Sequence, residues 1–398
     1  RQRQMCIRDS YSVEVLSVLD VLLGPVKTQV EKTYSAPFAT HLFAKETIEL
    51  ADGTQVRDYP RLLYGGRHLP DDGAGKWRDI LQRSLLALLQ SFMTGAVIFY
   101  SAAVLLGRRA NRDSKSMLRA ILARQTLLPW RTMLTTVTLL VLLVLLAVNL
   151  ASAYHVLGTD KVGQDVLYLT LKSIRTGLVI GTLTTLIMLP FAVFLGIVAG
   201  YARGWTDDVV QYVYTTLNSI PGVLLIAASI LMLQVYITNH PENFETTVER
   251  ADIRLLFLCI ILGITSWTGL CRLLRGEALK LREAEYIQAA VSFGVAHGKI
   301  ITRHILPNVM HVVLITVVLD FSGLVLAEAV LSYVGVGVDP TMNSWGNMIN
   351  SARLEMAREP VVWWSLMSAF LFMFVLVLAA NLFSDAVRDA FDPRTRER

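Results

Sequence analysis

Charge is scarce in this sequence: Lys, Arg, Asp and Glu make up 17% of its 398 residues, where a soluble domain carries about a quarter. That shortfall excludes an ordinary water-soluble globule. Cysteine is scarcer still, with three in the whole chain. Cys6, Cys259 and Cys271 show no paired spacing, and the last two fall in or beside an apolar run. Neither a disulfide framework nor a cysteine metal site is expected. Catalytic patterns are missing as well. There is no Gly-x-Ser-x-Gly, no His-Glu-x-x-His and no nucleophile–base set, so the chain does not read as an enzyme. Gly294-Val-Ala-His-Gly298-Lys299 echoes a phosphate-binding loop, but it is one residue short between the glycines. Ile300 also stands where Ser or Thr would hold magnesium. ATP is therefore not expected on this chain, nor is any other cofactor. No segment repeats with a period of 20–50 residues.

What is abundant is apolar surface. Hydrophobic residues reach 54% and the mean hydropathy is +0.49, which points to an all-α polytopic membrane protein. Spans are predicted at 85–106, 133–153, 177–201, 209–237 with a bend at Pro221, 255–270, 309–331 and 361–383. The first is followed by Arg108, Arg109, Arg112, Lys115, Arg119, Arg124 and Arg131 against a single acid, Asp113. By the positive-inside rule that loop is cytoplasmic. A nucleic-acid reading of the same run lacks the interleaved aromatics of single-strand binders. Loop 238–254 holds two Arg against four acids, and 272–304 holds six Lys or Arg against three acids, so the former lies outside and the latter inside. Residues 1–80 then lie outside. Segment 11–23 is apolar-rich but carries Glu14 and Asp20, and is too short to span. Turn signals at Pro37, Asp52-Gly53, Pro60, Gly65-Gly66, Pro70 and Asp72-Gly73 describe a small extramembrane module. It has no motif to which chemistry attaches. The chain opens on Arg1 rather than Met, as expected of a fragment or processed product, and this orientation calls for a further span upstream.

The longest cytoplasmic connection, 272–308, exceeds what a reversal of direction requires. Residues 277–293 are rich in good helix formers, and Gly294 falls where a helix C-terminal glycine belongs. A second polar run, 295–305, leads to Leu306-Pro307, where Pro307 opens the next helix. Ala290, Gly294 and Gly298 recur every four residues, so a partner's backbone could come close. A solvated helical hairpin without a partner fits the same features. His297, His304 and His311 are spaced by sevens, but Pro307 interrupts a single helix through them and no acid or Cys completes a metal set.

Ala289-Ala290, three residues, Gly294, nine residues and then His304-x-Leu306-Pro307 resembles the "EAA" loop of binding-protein-dependent ABC importer permeases. Gln288 stands where that family has Glu, and His304 where it has Ile. Further landmarks follow in family order. They are Leu157-Gly158-Thr159-Asp160 with Gly163-Gln164-Asp165-Val166 (Gln164 for the usual Arg), Ser219-Ile220-Pro221, Leu326-Ala327-Glu328-Ala329 with Leu331 to Gly337, Ser344-Trp345-Gly346-Asn347-Met348, and Asn381-Leu382 with Asp385, Arg388-Asp389 and Asp392-Pro393. They resemble the C-type subunits of the dipeptide/oligopeptide/nickel subgroup, and the likeness covers roughly 133–393. It implies a six-helix permease core, here with at least one extra N-terminal span and the external module. It also implies a bacterial inner-membrane location and four kinds of neighbour: ABC ATPase subunits that bind the ATP, a second homologous permease, a periplasmic solute-binding protein and the lipid bilayer. Nucleic acid is not among them. Loop 272–308 would be the coupling segment. Ala289, Ala290 and Gly294 would permit close contact with the ATPase, Glu283, Glu285 and Arg303 would set the docking, and Leu306-Pro307 would close the motif. The expected division is 1–80 external module, 81–132 extra span and basic loop, and 133–393 permease domain.

Two carboxylates, Asp320 and Glu328, fall within the span 309–331, where an ionisable group is costly. They are about 12 Å apart along a helix and roughly on one side. They either line a translocation path or pair with polar groups of a partner subunit. Three functions are open: an importer permease for peptides or related small solutes, a proton-coupled secondary transporter using Asp320 and Glu328, or a membrane scaffold. The second calls for inverted repeats and broken helices, which the sequence does not display.

Overall fold

The computed structural model describes residues 20–391 except 22, 50–54, 71–74, 127 and 245. Most of segment 11–23, Cys6, the Asp52-Gly53 and Asp72-Gly73 turns and Asp392-Pro393 lie outside the described residues. The order is α1 (Gly24–Thr28), β1 (Glu46–Glu49), β2 (Gln55–Asp58), α2 (Lys76–Arg109), α3 (Ser114–Leu122), α4 (Trp130–Ala151), α5 (Val166–Ala202), α6 (Trp205–Ser219) and α7 (Gly222–Asn239). There follow α8 (Thr247–Arg282), α9 (Glu285–Ser292), α10 (His297–Ile300), a π-helical turn (Ile301–Ile305), α11 (Leu306–Val334), α12 (Trp345–Glu355) and α13 (Trp364–Phe391). Among the described residues, seven helical runs are long and apolar enough to cross a membrane. Each overlaps one of the seven predicted stretches, so the chain is a polytopic, mainly helical membrane protein.

Three details differ from expectation. The span at 209–237 is broken rather than bent: α6 ends at Ser219, Ile220 is extended (φ −91°, ψ 128°) and α7 begins after Pro221. The proline ring disfavours helical backbone in the residue before it, and Pro221 has no N–H to continue the ladder. A broken helix is thus present after all. Next, the stretch 277–293 is not one helix. Residues up to Arg282 belong to α8, and Ala284 is extended (φ −69°, ψ 137°) before α9. Finally, Pro307 does not interrupt the helical run from His297 to Val334. The π turn Ile301–Ile305 absorbs it, because a wider turn relieves the carbonyl that faces the proline ring.

The chain divides into two compact units, Arg1–Tyr168 and Leu169–Arg398. In the first, the amphipathic α3 buries Met117 and Ile121 against Ala103 of α2 and Leu134 of α4. The described residues before α2 include an antiparallel strand pair, with Glu46 opposite Asp58 and Glu49 opposite Gln55. Their anchor is a buried charge cluster. His155 Nδ1 lies 2.7 Å from Asp165 Oδ2, and its Nε2 lies 3.3 Å from Glu31 Oε1. Glu31 also accepts from the backbone N–H groups of Leu63, Tyr64 and Gly65. Burial pushes the His155 imidazolium down, but Asp165 and Glu31 outweigh it and hold its pKa at about 9. Burial pushes Glu31 up, yet the His155 contact and the three amides leave its carboxyl below the usual range.

In the second unit, α5 and α8 approach so closely that glycine is required. A Cβ on Gly196 would come within 2.8 Å of Cys271 O, and one on Gly200 within 2.5 Å of Arg275 O. Small residues let membrane helices pack backbone to backbone. Around this contact Met188, Ala192 and Ile197 meet Trp267, Leu270 and Leu274, together with Ile300, Ile305 and Val309 from the far side of the polar loop. A second cluster joins α11, α12 and α13 through Val325, Trp345 and Ala369.

Candidate functional site

The loop 272–308 is built on the end of α8. That helix runs on past its apolar stretch to Arg282, and a bidentate ion pair fixes its lower part. Arg275 Nε and Nη2 donate to the two oxygens of Asp207 on α6, at 2.5 and 2.7 Å. Paired, planar geometry of this kind gives direction as well as attraction. The bend that follows is pinned to the end of α5. Arg282 Nη1 donates to Tyr201 O at 2.8 Å, and Arg203 Nη2 donates to Glu283 Oε1 at 2.6 Å. Tyr201 Oη and His297 Nδ1 share a hydrogen bond of 2.7 Å. The loop thus leaves and re-enters beside one residue, Tyr201.

Between these pins lies α9, eight residues long. Ile287 faces inward and is fully buried, and Ala290 packs beside it against the same core. A neighbouring stripe, about a quarter turn round the helix, faces out. Tyr286 is 46% exposed and Phe293 is 87% exposed, with exposed Ala289 between them. These three fall at i, i+3 and i+7, the spacing by which a helix lays one face into a groove. Gly294 ends the helix with φ +73°, a conformation that glycine adopts without penalty. A recess of about 790 Å³ opens beside α9, lined by Tyr201, Arg203, Arg282, Gln288 and His297 among others.

The expected residues therefore fall into different surroundings. Ala289, Gly294, Glu285, Arg303 and Pro307 are exposed, while Ala290 and Leu306 are half-buried. Glu283 is engaged by Arg203 within the chain. Gln288, which replaces the family's Glu, donates through Nε2 to Glu283 O at 3.2 Å, a contact that a carboxylate could not make. Among the described residues no group of three or more His, Cys, Asp or Glu could hold a metal. His304 instead packs near the Tyr286 ring. Sequence reasoning missed Tyr201, Arg203, the Asp207–Arg275 pair and Phe293. Only Phe293 carried a local signal, as a large aromatic next to the helix-ending glycine.

The two membrane carboxylates do not share an environment. Glu328 is 2% exposed and accepts from Ser332 Oγ at 2.7 Å. Asp320 is half-buried further down α11.

The family described as "Binding-protein-dependent transport system inner membrane component" matches residues 192–397, more than half of the chain. The oligopeptide transport system permease protein OppC of Haemophilus influenzae is 32% identical over 243 residues, covering 61% of this chain and 71% of that protein. OppC of Mycobacterium bovis is 33% identical over 242 residues, covering 61% and 77%. The dipeptide transport system permease protein DppC of Lactococcus lactis is 30% identical over 243 residues, covering 61% and 65%. A chain of the MetNI methionine ABC transporter, solved in inward-facing conformations, aligns with a TM-score of 0.44 at 14% identity, covering 56% of this chain and 96% of that one. Nothing in these comparisons supports the proton-coupled alternative. The chain belongs to the binding-protein-dependent transport system inner membrane components, as a multi-pass transport subunit rather than an enzyme.

Proposed function

We propose that this chain is the permease subunit of an ATP-driven importer for di- or oligopeptides, and that α9 is the lever through which separate ATPase subunits move it. The observation that carries the reading is the outward stripe of Tyr286, Ala289 and Phe293 on a helix whose other face and both ends are fastened to α5 and α8. Such a segment transmits a push because it is rigid where it meets the membrane helices and apolar where it meets a partner. Glu285 and Arg303 set the rim charges and fix register. The peptide relatives support the cargo class.

A second, homologous permease completes the path, and a periplasmic solute-binding protein delivers the cargo. Residues 1–80 form the external module, 81–132 the extra span with its basic cytoplasmic loop, and 133–393 the permease domain. Asp320 borders the path, whereas Glu328 has its hydrogen bond inside its own chain.

The test is reconstitution of the whole complex. The permease should co-purify with an ATPase and a second permease, and take up peptide only with ATP and the binding protein. Gly294→Val forces a branched residue into left-handed backbone and should separate ATP hydrolysis from uptake while insertion remains normal. Full uptake by that variant would overturn the assignment of the lever.

A further inference from the structure

One cavity outside the cytoplasmic site carries charge of both signs. It measures about 290 Å³ and lies among Lys172, Arg175 and Thr176 of α5, Asp252 of α8, and Met342 and Asn343 of the loop before α12. Small-molecule sites run from roughly 300 Å³ upward, so it suits a ligand of dipeptide size. Its depth in the membrane is set by sequence. Arg175 lies just before the charge-free stretch that starts at Gly177, and Asp252 just before the one that starts at Leu255. Both therefore stand at the external rim, on the side opposite the cytoplasmic loop.

The walls are fixed in advance. Thr176 Oγ1 donates to Asn343 O at 2.7 Å, and Asn347 Nδ2 donates to Asp339 O at 2.8 Å and to Met342 O at 3.0 Å. Buried Arg254 donates through Nε to Gly337 O at 3.1 Å. The loop is thus tied to α5, to α8 and to α12, and a ligand entering here would not have to order it. Arg175 and Asp252 are exposed, and among the described residues no side-chain hydrogen bond or ion pair engages either. An arginine fork matches a carboxylate, and a carboxylate lining the same cavity matches an ammonium group.

We propose that this cavity is an entry site for a zwitterionic cargo, with the cargo carboxylate on Arg175 and its ammonium group on Asp252. The inference rests on the importer reading above and adds to it a recognition site on the permease itself. It is tested with the complete importer in proteoliposomes, with dialanine as cargo and saturating loaded binding protein. Arg175→Gln should lower uptake roughly tenfold, as loss of a charge-assisted hydrogen bond does, and Arg175→Lys should recover part of it. Asp252→Asn should act in the same direction. The amount of binding protein that half-stimulates ATP hydrolysis should be unchanged in all three. Uptake by Arg175→Gln equal to the unaltered complex overturns the entry site and leaves the importer reading standing. A raised binding-protein requirement with full uptake at saturation also overturns it, by making Arg175 a protein-docking residue. Absence of peptide uptake by the unaltered complex overturns the peptide reading and the entry site together.

Discussion

Phe293 offers the sharpest measurement of the proposed docking of loop 272–308 on an ATPase. The side chain is 87% exposed and stands at the C-terminal cap of α9, next to the left-handed Gly294. Replacing it with Ala removes almost nothing from the chain's own packing, so stability should move by less than about 0.5 kcal/mol. Docked in an ATPase groove, the ring would lose nearly all its water contact. Full burial of a phenylalanine is worth about 1.5–3 kcal/mol, so Phe293→Ala should cost roughly 1.5–2.5 kcal/mol of association, or about 10- to 70-fold in affinity. The assay titrates the purified ATPase against the permease pair in lipid nanodiscs, with thermal melting of the permease alone as control. Phe293→Leu should keep most of the affinity. Unchanged affinity for Phe293→Ala, or a lower melting temperature of the permease alone, would refute the reasoning, because the ring would then serve the chain rather than the partner.

Gly200→Val drives side-chain atoms onto Arg275 O and Ala278 Cβ, which a first Cβ alone would meet at 2.5 and 2.7 Å. It should destabilise the α5–α8 contact by about 1–3 kcal/mol, read as a lower melting temperature in detergent, while Gly298→Ala, with nothing within 4 Å, should not. His155 predicts a pH dependence whose sign follows from its raised pKa of about 9. The imidazolium's contribution is complete below the ordinary histidine value near 6.5 and is lost as pH rises through about 9, a linkage of roughly 3 kcal/mol. Limited proteolysis of the segment before α2 should therefore accelerate between pH 7 and 10, and His155→Gln should flatten that profile. Asp320→Asn should alter the uptake rate or cargo range if Asp320 borders the path, and identical kinetics would assign it to a partner subunit instead.

The membrane helices were legible because hydrocarbon punishes charge so heavily that six of the seven spans show as charge-free runs, and the seventh, 309–331, is interrupted only by Asp320 and Glu328. Pro221 was legible as a disturbance, but its severity was not, since a proline bends or breaks a helix according to what surrounds it. The bend at Glu283-Ala284 had no local mark. Neither residue is a helix breaker, and the turn is held by Arg203 and Tyr201, some eighty residues earlier in the chain. The π turn was hidden for a similar reason, because its extra residue is visible only in the hydrogen-bond ladder. In the candidate site, Gly294 announced its left-handed turn. The adjacent Ala289 and Ala290 looked equivalent until Ile287 fixed which side of α9 faces inward. The Glu31–His155–Asp165 cluster joins residues too distant in sequence for any local pattern to link them.

The gap between α6 and α7 decides what can surround the molecule there. The last carbonyls of α6 and the first amides of α7 have no full set of intrahelical partners, and acyl chains offer none. Ile220 is 42% exposed and Pro221 is exposed, so the chain's own packing does not close the place over. Lipid tails are the neighbour this stretch tolerates least, so the flank that carries it is expected to face water or protein rather than open bilayer.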